Sequence, residues 1–229
     1  MIGMRARRFM ANPDLDRREI AAYGIIEVAD YLRVPRKTVE YWVAGGKFPL
    51  VHAPSTSPPR FTFMNLLECH ILSAMRWKGV KVEKVRRALD YIGRQWPSKH
   101  PLLDQRFQTD GIDLFVSKLP DEIINVSRQG QLGLKGILEA FLQRIDFDPS
   151  GIAAKFFPFV EEKKAGEPKM IEINPSVAFG RPVIAGTGIT ADVIAGRFAA
   201  RESVAALAEE YGRPPGEIEE AIRWARKTL

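Results

Sequence analysis

The 229-residue sequence is poor in the side chains that build redox and metal centres. It has one cysteine, Cys69, which excludes an intrachain disulfide. Its three histidines, His52, His70 and His100, stand far apart, so no zinc-ligand spacing occurs. No run of 18 apolar residues is present, and no apolar run follows the basic N-terminus. We therefore expect neither a membrane-spanning helix nor a secretory signal, and we expect a cytoplasmic protein.

The composition is that of an ordinary globular protein, with 45% hydrophobic and 27% charged residues. The length allows one to two domains. Charge is distributed unevenly, because the first 100 residues hold 18 lysines and arginines against nine acidic residues, whereas the remainder holds 16 against 19. A basic front half favours nucleic acid as a partner, and an arginine-rich solvated surface is the alternative.

Apolar residues recur at helical spacing on both sides of Pro35: Ile25, Val28, Ala29 and Leu32 before it, and Val39, Trp42 and Val43 after it. Pro35 ends the first helix and suits the start of the second, which ends at Gly45-Gly46. Two short amphipathic helices with a tight turn predict a helix-turn-helix, and a generic helical hairpin is the alternative. The second helix exposes Arg36, Lys37, Thr38, Glu40 and Tyr41, and we expect Arg36, Lys37, Thr38 and Tyr41 to lie at the major groove.

The segment from Lys47 to Phe63 predicts a wing. Its strands are expected at Phe48, Leu50 and Val51 and at 60–63, on either side of a polar tip at 54–59. Lys47 and Arg60 are then expected to flank the wing at the DNA backbone. Two helices follow. The first has an inward face of Met64, Leu67, Ile71 and Ala74, and the second has one of Val82, Val85, Leu89 and Ile92. The second also carries a basic stripe that either contacts phosphates or is simply solvated: Lys81, Lys84, Arg87 and Arg94.

Residues 23–92 resemble the DNA-binding domain of the MerR superfamily. Ile26-Glu27-Val28-Ala29 matches the opening helix of that family, and Thr38-Val39-Glu40-Tyr41-Trp42 resembles its recognition-helix core, T-L-R-Y-Y. Glu40 stands where the family has arginine. The sequence shows neither a long dimerisation helix nor a cysteine effector site, so the resemblance implies a DNA reader rather than a metal-sensing activator.

The middle of the chain, residues 98–166, is interpreted as a small α/β connector. Strands are expected at 113–117 and 123–127, and a helix with an inner face of Leu134, Ile137, Leu138, Phe141 and Ile145. Phe156, Phe157 and Phe159 form an aromatic cluster that belongs to the core or to a partner-docking or dimerisation surface. The charged stretch 161–168 is interpreted as a linker.

The C-terminal segment predicts a strand at 170–173, a glycine-rich loop at 180–189 and three helices. Thr190 and Ser203 are candidate caps for the first two helices, and Gly212 ends the second. The loop resembles the antitoxin signature G-x-P-x-I-x-G-T-R-I, with Gly180, Pro182, Ile184, Gly186, Thr187 and Ile189 in place and Gly188 at the arginine position. This resemblance to VapB-type antitoxins implies a PIN-domain ribonuclease toxin as partner.

Two features of the sequence could indicate an enzyme. The glycine-rich loop lacks the lysine of a P-loop, so its glycines are better explained by tight turns. Four aspartates, Asp110, Asp113, Asp146 and Asp148, form two close pairs that can hold a divalent metal, although 146–151 reads equally as a turn. Cys69 is expected to be a buried, inert thiol. We therefore expect neither an enzyme nor a cofactor or metal.

These observations predict a mainly α protein with small β elements. Its expected parts are an arm (1–22), a winged helix-turn-helix (23–97), the connector (98–166) and a three-helix domain with a short strand (167–229). The expected function is a homodimeric antitoxin and autorepressor, and the alternative is a stand-alone MerR-like regulator without a toxin. Residues 201–220 hold two basic and six acidic residues, which favours partner binding over DNA contact there. The expected partner-facing residues are Arg181, Glu209 and Glu210.

Overall fold

A computed structural model of the protein describes residues 16–45, 49–119, 128–160 and 166–226, with the backbone alone at 128–131. Its helices are α1 (Ile25–Leu32), α2 (Arg36–Ala44), α3 (Phe63–Trp77), α4 (Val82–Gln95), α5 (Ile112–Ser117), α6 (Arg128–Leu142), α7 (Ala191–Ala199), α8 (Val204–Tyr211) and α9 (Pro215–Arg226). Its strands are β1 (Tyr23–Gly24), β2 (Ser55–Thr56), β3 (Pro59–Phe61), β4 (Ile145–Phe147), β5 (Ala153–Phe156), β6 (Ile171–Glu172) and β7 (Val183–Ile184). All pairings between these strands are antiparallel, so the expectation of a mainly α protein with small β elements is confirmed.

Helices α1 and α2 form where the sequence predicts them, on either side of Pro35. The turn between them places Arg33 in the left-handed region, with φ at 54°. Val34 then lies buried beneath the two helices, as expected of a turn residue that fills the core. Pro35 precedes α2 with φ at −58°, the value that its ring fixes. The turn therefore sets which face of α2 points outward.

Helix α3 runs through the centre of the molecule. Thr62 caps it by accepting a hydrogen bond from the Asn65 amide, and the Asn65 side chain accepts one from the Thr62 amide. The sequence predicts one apolar face for α3, but every residue from Phe63 to Met75 is buried. Cys69 lies among them, as expected. One hydrophobic cluster around this helix extends from Tyr23 to Ile173.

The structure corrects two expectations in the connector. Residues 113–117 lie in helix α5 rather than in a strand, because Ile112, Phe115 and Val116 share one buried helical face. A short apolar run of this kind does not distinguish strand from helix by periodicity. Ile145 begins strand β4 instead of extending the inner face of α6. The strand expected at 123–127 lies outside the described residues.

The wing differs from its prediction in the first strand. Leu50 and Val51 are not in a strand, because their amides donate to the carbonyl oxygen of Trp42 at 2.7 and 3.2 Å and so cover the end of α2. The hairpin is instead formed by β2 and β3. Strand β3 ends at Phe61, and Thr62 and Phe63 already belong to the start of α3. Phe48 and Lys47 lie outside the described residues.

The C-terminal helices pack around a second hydrophobic cluster, which includes Ile184, Ile194, Leu207 and Trp224. Ser203 caps α8 and Gly212 ends it in the left-handed region, as predicted. Thr190 precedes α7 as expected but makes no side-chain capping bond. Strand β6 pairs with β7, and the next residue, Ile173, bridges to Phe156 at the end of β5. The longest described helices have 15 residues, and none is long and apolar enough to cross a bilayer.

Candidate nucleic-acid interface

The predicted groove-facing residues lie together on the outer face of α2. Val39, Trp42 and Val43 bury the inner face of the helix. On the opposite side Arg36 and Lys37 are exposed, Thr38 is half-buried, and Tyr41 keeps 41% of its surface. The 3.6-residue period thus places Lys37 and Tyr41 one turn apart on the side away from the core, with Arg36 and Thr38 at the two edges of this face.

Helix α4 is fastened beside this face by a contact that the sequence did not reveal. The Arg86 guanidinium lies 5.2 Å from the centre of the Tyr41 ring and donates a hydrogen bond to the carbonyl oxygen of Gly45. The Tyr41 hydroxyl donates a weaker bond, at 3.4 Å, to Glu83. Because both partners are on α4, its basic residues are held next to α2.

Part of the predicted basic stripe of α4 is solvent-facing. Lys81 and Arg87 are exposed, and Lys84 is half-buried. Arg94 is also exposed but pairs with Asp90 one turn earlier at 2.5 Å. The described outer surface of α2 and α4 therefore combines hydrogen-bonding groups with positive charge, the two features that duplex readers use.

Arg60 lies on β3 at the edge of the same region. Its side chain is exposed, and it donates a hydrogen bond to the carbonyl oxygen of Ala22 at 3.3 Å. This bond braces the strand that pairs with β1. Lys47, the other predicted wing residue, lies outside the described residues.

The predicted partner-facing residues separate into buried and exposed groups. Phe156, Phe157 and Phe159 are all buried, so they belong to the core interpretation. Phe156 and Phe159 pack against the ring of His70, at 4.6 and 5.9 Å between centroids. In contrast, Arg181, Glu209 and Glu210 are exposed on the C-terminal module, defined as residues 167–226.

Ion pairs hold much of the acidic surface of this module in place. Arg197 bonds Glu202 and Glu210, both at 2.5 Å, and also contacts Tyr211. These contacts lower the pKa of both carboxyl groups, with the Arg197 hydrogen bond as the main cause. Glu210 is therefore an organised surface carboxylate, tied to α7.

The glycine-rich loop is closed by its own hydrogen bonds. Gly180 and Gly186 have φ of 76° and 73°, which confirms the turn interpretation of these glycines. The Gly186 amide donates to buried Glu172 at 3.1 Å, and the Thr187 hydroxyl donates to the Ile184 carbonyl at 2.7 Å. The Glu172 carboxylate thus already accepts the hydrogen bond of the Gly186 amide, which a phosphate bound in this loop would need.

Three of the four aspartates that suggest a metal site have other partners. Asp113 pairs with Lys135 at 2.7 Å and Asp146 with Lys169 at 2.8 Å. Asp148 accepts hydrogen bonds from the Ser150 and Ile152 amides, which confirms the turn interpretation. Within the described ranges, no three metal-ligating side chains gather at one place.

Comparisons with known proteins cover most of the chain. A family model described as "Protein of unknown function (DUF433)" matches residues 171–225. A Mycobacterium tuberculosis (strain ATCC 25618 / H37Rv) protein named "Putative antitoxin VapB45" is 27% identical, over 89% of this chain and 93% of the relative. The crystal structure of Rv2018 from Mycobacterium tuberculosis superposes with a TM-score of 0.69 and 25% identity, over 89% of this chain and 98% of that one. The similarity therefore includes both the α1–α4 region and the C-terminal module.

Proposed function

We propose that this protein is the antitoxin of a type II toxin–antitoxin system, which binds its own operator DNA and neutralises a PIN-domain ribonuclease toxin. The observation that carries the proposal is the similarity, along most of both chains, to a protein named as a VapB antitoxin. The outward face of α2 supports the DNA-binding part. The exposed charged residues of the C-terminal module support the proposal that it binds a toxin.

The arrangement of α1, α2 and the β2–β3 hairpin supports the DNA-binding part, in which these elements act as a MerR-like winged helix-turn-helix. In this proposal α2 enters the major groove, where Arg36, Lys37, Thr38 and Tyr41 meet base edges and phosphates. Arg60 and Lys47 contact the backbone beside the wing. Exposed Lys81 and Arg87 and half-buried Lys84 add phosphate contacts, which supply affinity but carry no sequence information.

The proposed assembly on DNA is a homodimer. Helix α2 has nine residues and is about 13 Å long, so one copy covers only a few base pairs. Two copies related by a two-fold axis read two half-sites and double the number of contacts. Sedimentation at micromolar concentration tests this part, and a monomer of about 26 kDa both on and off DNA excludes it.

The proposed toxin-facing surface lies on the C-terminal module. Arg181, Glu209 and Glu210 remain as its candidate residues, because the three phenylalanines are committed to the core. An acidic surface suits a ribonuclease, whose RNA-binding cleft must be basic. In this proposal residues 23–97 read DNA, residues 98–166 connect, and residues 167–229 hold the toxin.

Co-expression with the neighbouring open reading frame tests the proposal. We expect the neighbour to arrest growth when expressed alone, and this chain to restore growth and co-purify with it. Glu209→Lys with Glu210→Lys is expected to weaken rescue, whereas Asp110→Lys with Asp113→Lys, at two exposed carboxylates outside the C-terminal module, is the matched control. If the chain binds its upstream DNA but the neighbour is harmless, the stand-alone regulator is the better assignment.

A further inference from the structure

Glu40 lies at one side of the outer face of α2, whose centre is formed by Lys37 and Tyr41. It follows Arg36 by one helical turn and precedes exposed Ala44 by another, and Lys37 and Tyr41 form the adjacent row. Its side chain is 43% exposed. A ligand that binds Arg36 and the outward face of α2 therefore lies next to this carboxylate.

Folding does not account for a carboxylate at this position. Glu40 pairs with Arg36 at 2.9 Å, between side chains that are 43% and 60% exposed. A solvent-exposed pair of this kind contributes little to stability, since water competes for both charges. The pair instead keeps the two side chains side by side on the surface of α2.

A carboxylate on a duplex-facing helix has few favourable partners. Phosphates repel it, and most base edges in the major groove present acceptors. The exceptions are the amino groups of cytosine N4 and adenine N6. Adenine places its N7 acceptor next to that donor, where it opposes an acceptor-only side chain, whereas cytosine has no major-groove acceptor.

Arg36 complements this preference. Guanine offers two acceptors, O6 and N7, to an arginine, and it is the Watson–Crick partner of cytosine. Side chains one turn apart on a helix are about 6 Å apart along its axis, less than the span of two base-pair steps. Arg36 and Glu40 can therefore address the same or neighbouring G·C pairs.

We propose that Glu40 determines sequence specificity: it accepts a hydrogen bond from the N4 amino group of a cytosine, while Arg36 leaves their ion pair to donate to guanine. This inference rests on the proposed DNA-binding function. It also explains the charge of α2, because an acidic residue among cations sacrifices non-specific affinity and gains discrimination. In this proposal Glu40 contacts a base and makes no contact with a phosphate.

Selection from a randomised duplex library with the full-length protein tests the inference. We expect the wild type to enrich cytosine at one position of each half-site, and Glu40→Ala to lose that preference while the other positions persist. Glu40→Gln is expected to shift the position to adenine, since an amide can bond both N6 and N7. Replacing that cytosine with thymine should weaken wild-type binding about tenfold or more, and Glu40→Ala binding less than about twofold.

The outcomes separate this inference from the function on which it rests. Glu219→Gln, an exposed carboxylate on α9, is the control for loss of one negative charge and should keep the wild-type preference. If Glu40→Ala selects the same sequence as the wild type, Glu40 does not read a base, although DNA binding stands. If Glu40→Ala binds all duplexes more tightly with no positional change, charge alone explains its effect, which also overturns the inference. If the wild type selects no sequence, the DNA-binding proposal itself fails.

Discussion

Tyr23 donates a hydrogen bond to the carbonyl oxygen of Gly180 at 3.2 Å, although 157 positions separate the two residues. Burial raises the pKa of Tyr23, which keeps its hydroxyl proton available for this bond. Nearby, the ring of Tyr31 on α1 packs 5.9 Å from the ring of Trp224 on α9. Helix α1, which carries the turn to α2, therefore rests directly on the C-terminal module.

The first prediction concerns Gly180→Ala. A Cβ atom at Gly180 would lie 2.3 Å from the Tyr23 hydroxyl oxygen, and the φ of 76° disfavours any side chain. Strain from a left-handed residue alone is about 1–2 kcal/mol, so we expect the free energy of unfolding to fall by about 2 kcal/mol or more. Urea denaturation measures the change.

The matched control for this substitution is Gly188→Ala, in the same loop. A Cβ atom there meets nothing within 4 Å. We expect a change within about 0.5 kcal/mol. Equal stability of the two variants would show that the Tyr23–Gly180 contact places no steric demand on the loop.

The second prediction concerns Arg33, which joins the α1–α2 turn to α9. Its guanidinium lies 4.7 Å from the Trp224 ring centre and one nitrogen donates to the Trp224 carbonyl at 3.2 Å, but Nε and Nη1 are buried without hydrogen-bond partners. Burial lowers the pKa of Arg33, since the charged form is poorly solvated there. Arg33→Met keeps the apolar stem and removes the unsatisfied donors, so we expect stability to be unchanged or higher by about 1 kcal/mol.

Trp224→Ala is the contrasting variant at the same contact. Loss of a fully buried tryptophan costs about 3–5 kcal/mol. Thermal or urea denaturation of the two variants distinguishes the contribution of tryptophan packing to stability from that of the arginine charge. A loss above about 2 kcal/mol in Arg33→Met would mean that the guanidinium itself stabilises the contact.

The third prediction concerns the pH dependence of stability. His100 is held between two carboxylates, with its ring nitrogens 3.0 Å from Glu68 and 3.1 Å from Glu19. Burial opposes protonation, but the hydrogen bonds and charges of the two glutamates outweigh it and raise the pKa of His100. A raised folded-state pKa adds stability that is full below the unfolded value, about 6.5, and is lost as pH rises through the folded value.

We therefore expect the wild type to exceed His100→Gln in unfolding free energy by the largest margin below about pH 6.5. The margin should shrink as pH rises. Urea denaturation between about pH 5.5 and 9 measures it. His52→Gln, at an exposed position, is the control for loss of a histidine. A margin that grows with pH contradicts the assignment of a protonated His100 between Glu19 and Glu68.

The sequence predicts well those elements whose signals are local. Pro35 and the apolar period define α1 and α2, and Ser203 and Gly212 define α8. The prediction of a strand at 113–117 is wrong because a five-residue apolar segment fits either strand or helix, and its partners on other elements decide between them.

The contacts that build the candidate site could not be read from the sequence because they join distant residues. Arg86 is 45 positions from Tyr41, and nothing in the period of α4 says that its guanidinium covers that ring. Likewise, helical spacing identifies Glu40 as outward-facing but does not reveal its pairing with Arg36 among several possible partners. The local sequence pattern therefore predicts which face of a helix is exposed, but only the tertiary structure shows which residues contact that face.

The central claim is that the outward face of α2 binds duplex DNA. The affinity of the full-length protein for its native upstream DNA, measured as a function of salt concentration, tests this claim most directly. Arg36→Ala with Lys37→Ala is compared with Arg106→Ala with Arg226→Ala, which removes the same charge from exposed positions elsewhere. We predict that affinity falls steeply between about 50 and 200 mM salt, and that only the α2 variant binds about tenfold or more weakly. Its slope of log K against log salt should be reduced by about 1, because Lys37 contacts a phosphate whereas Arg36 reads a base. Equal affinities and slopes for the two double variants would contradict the account.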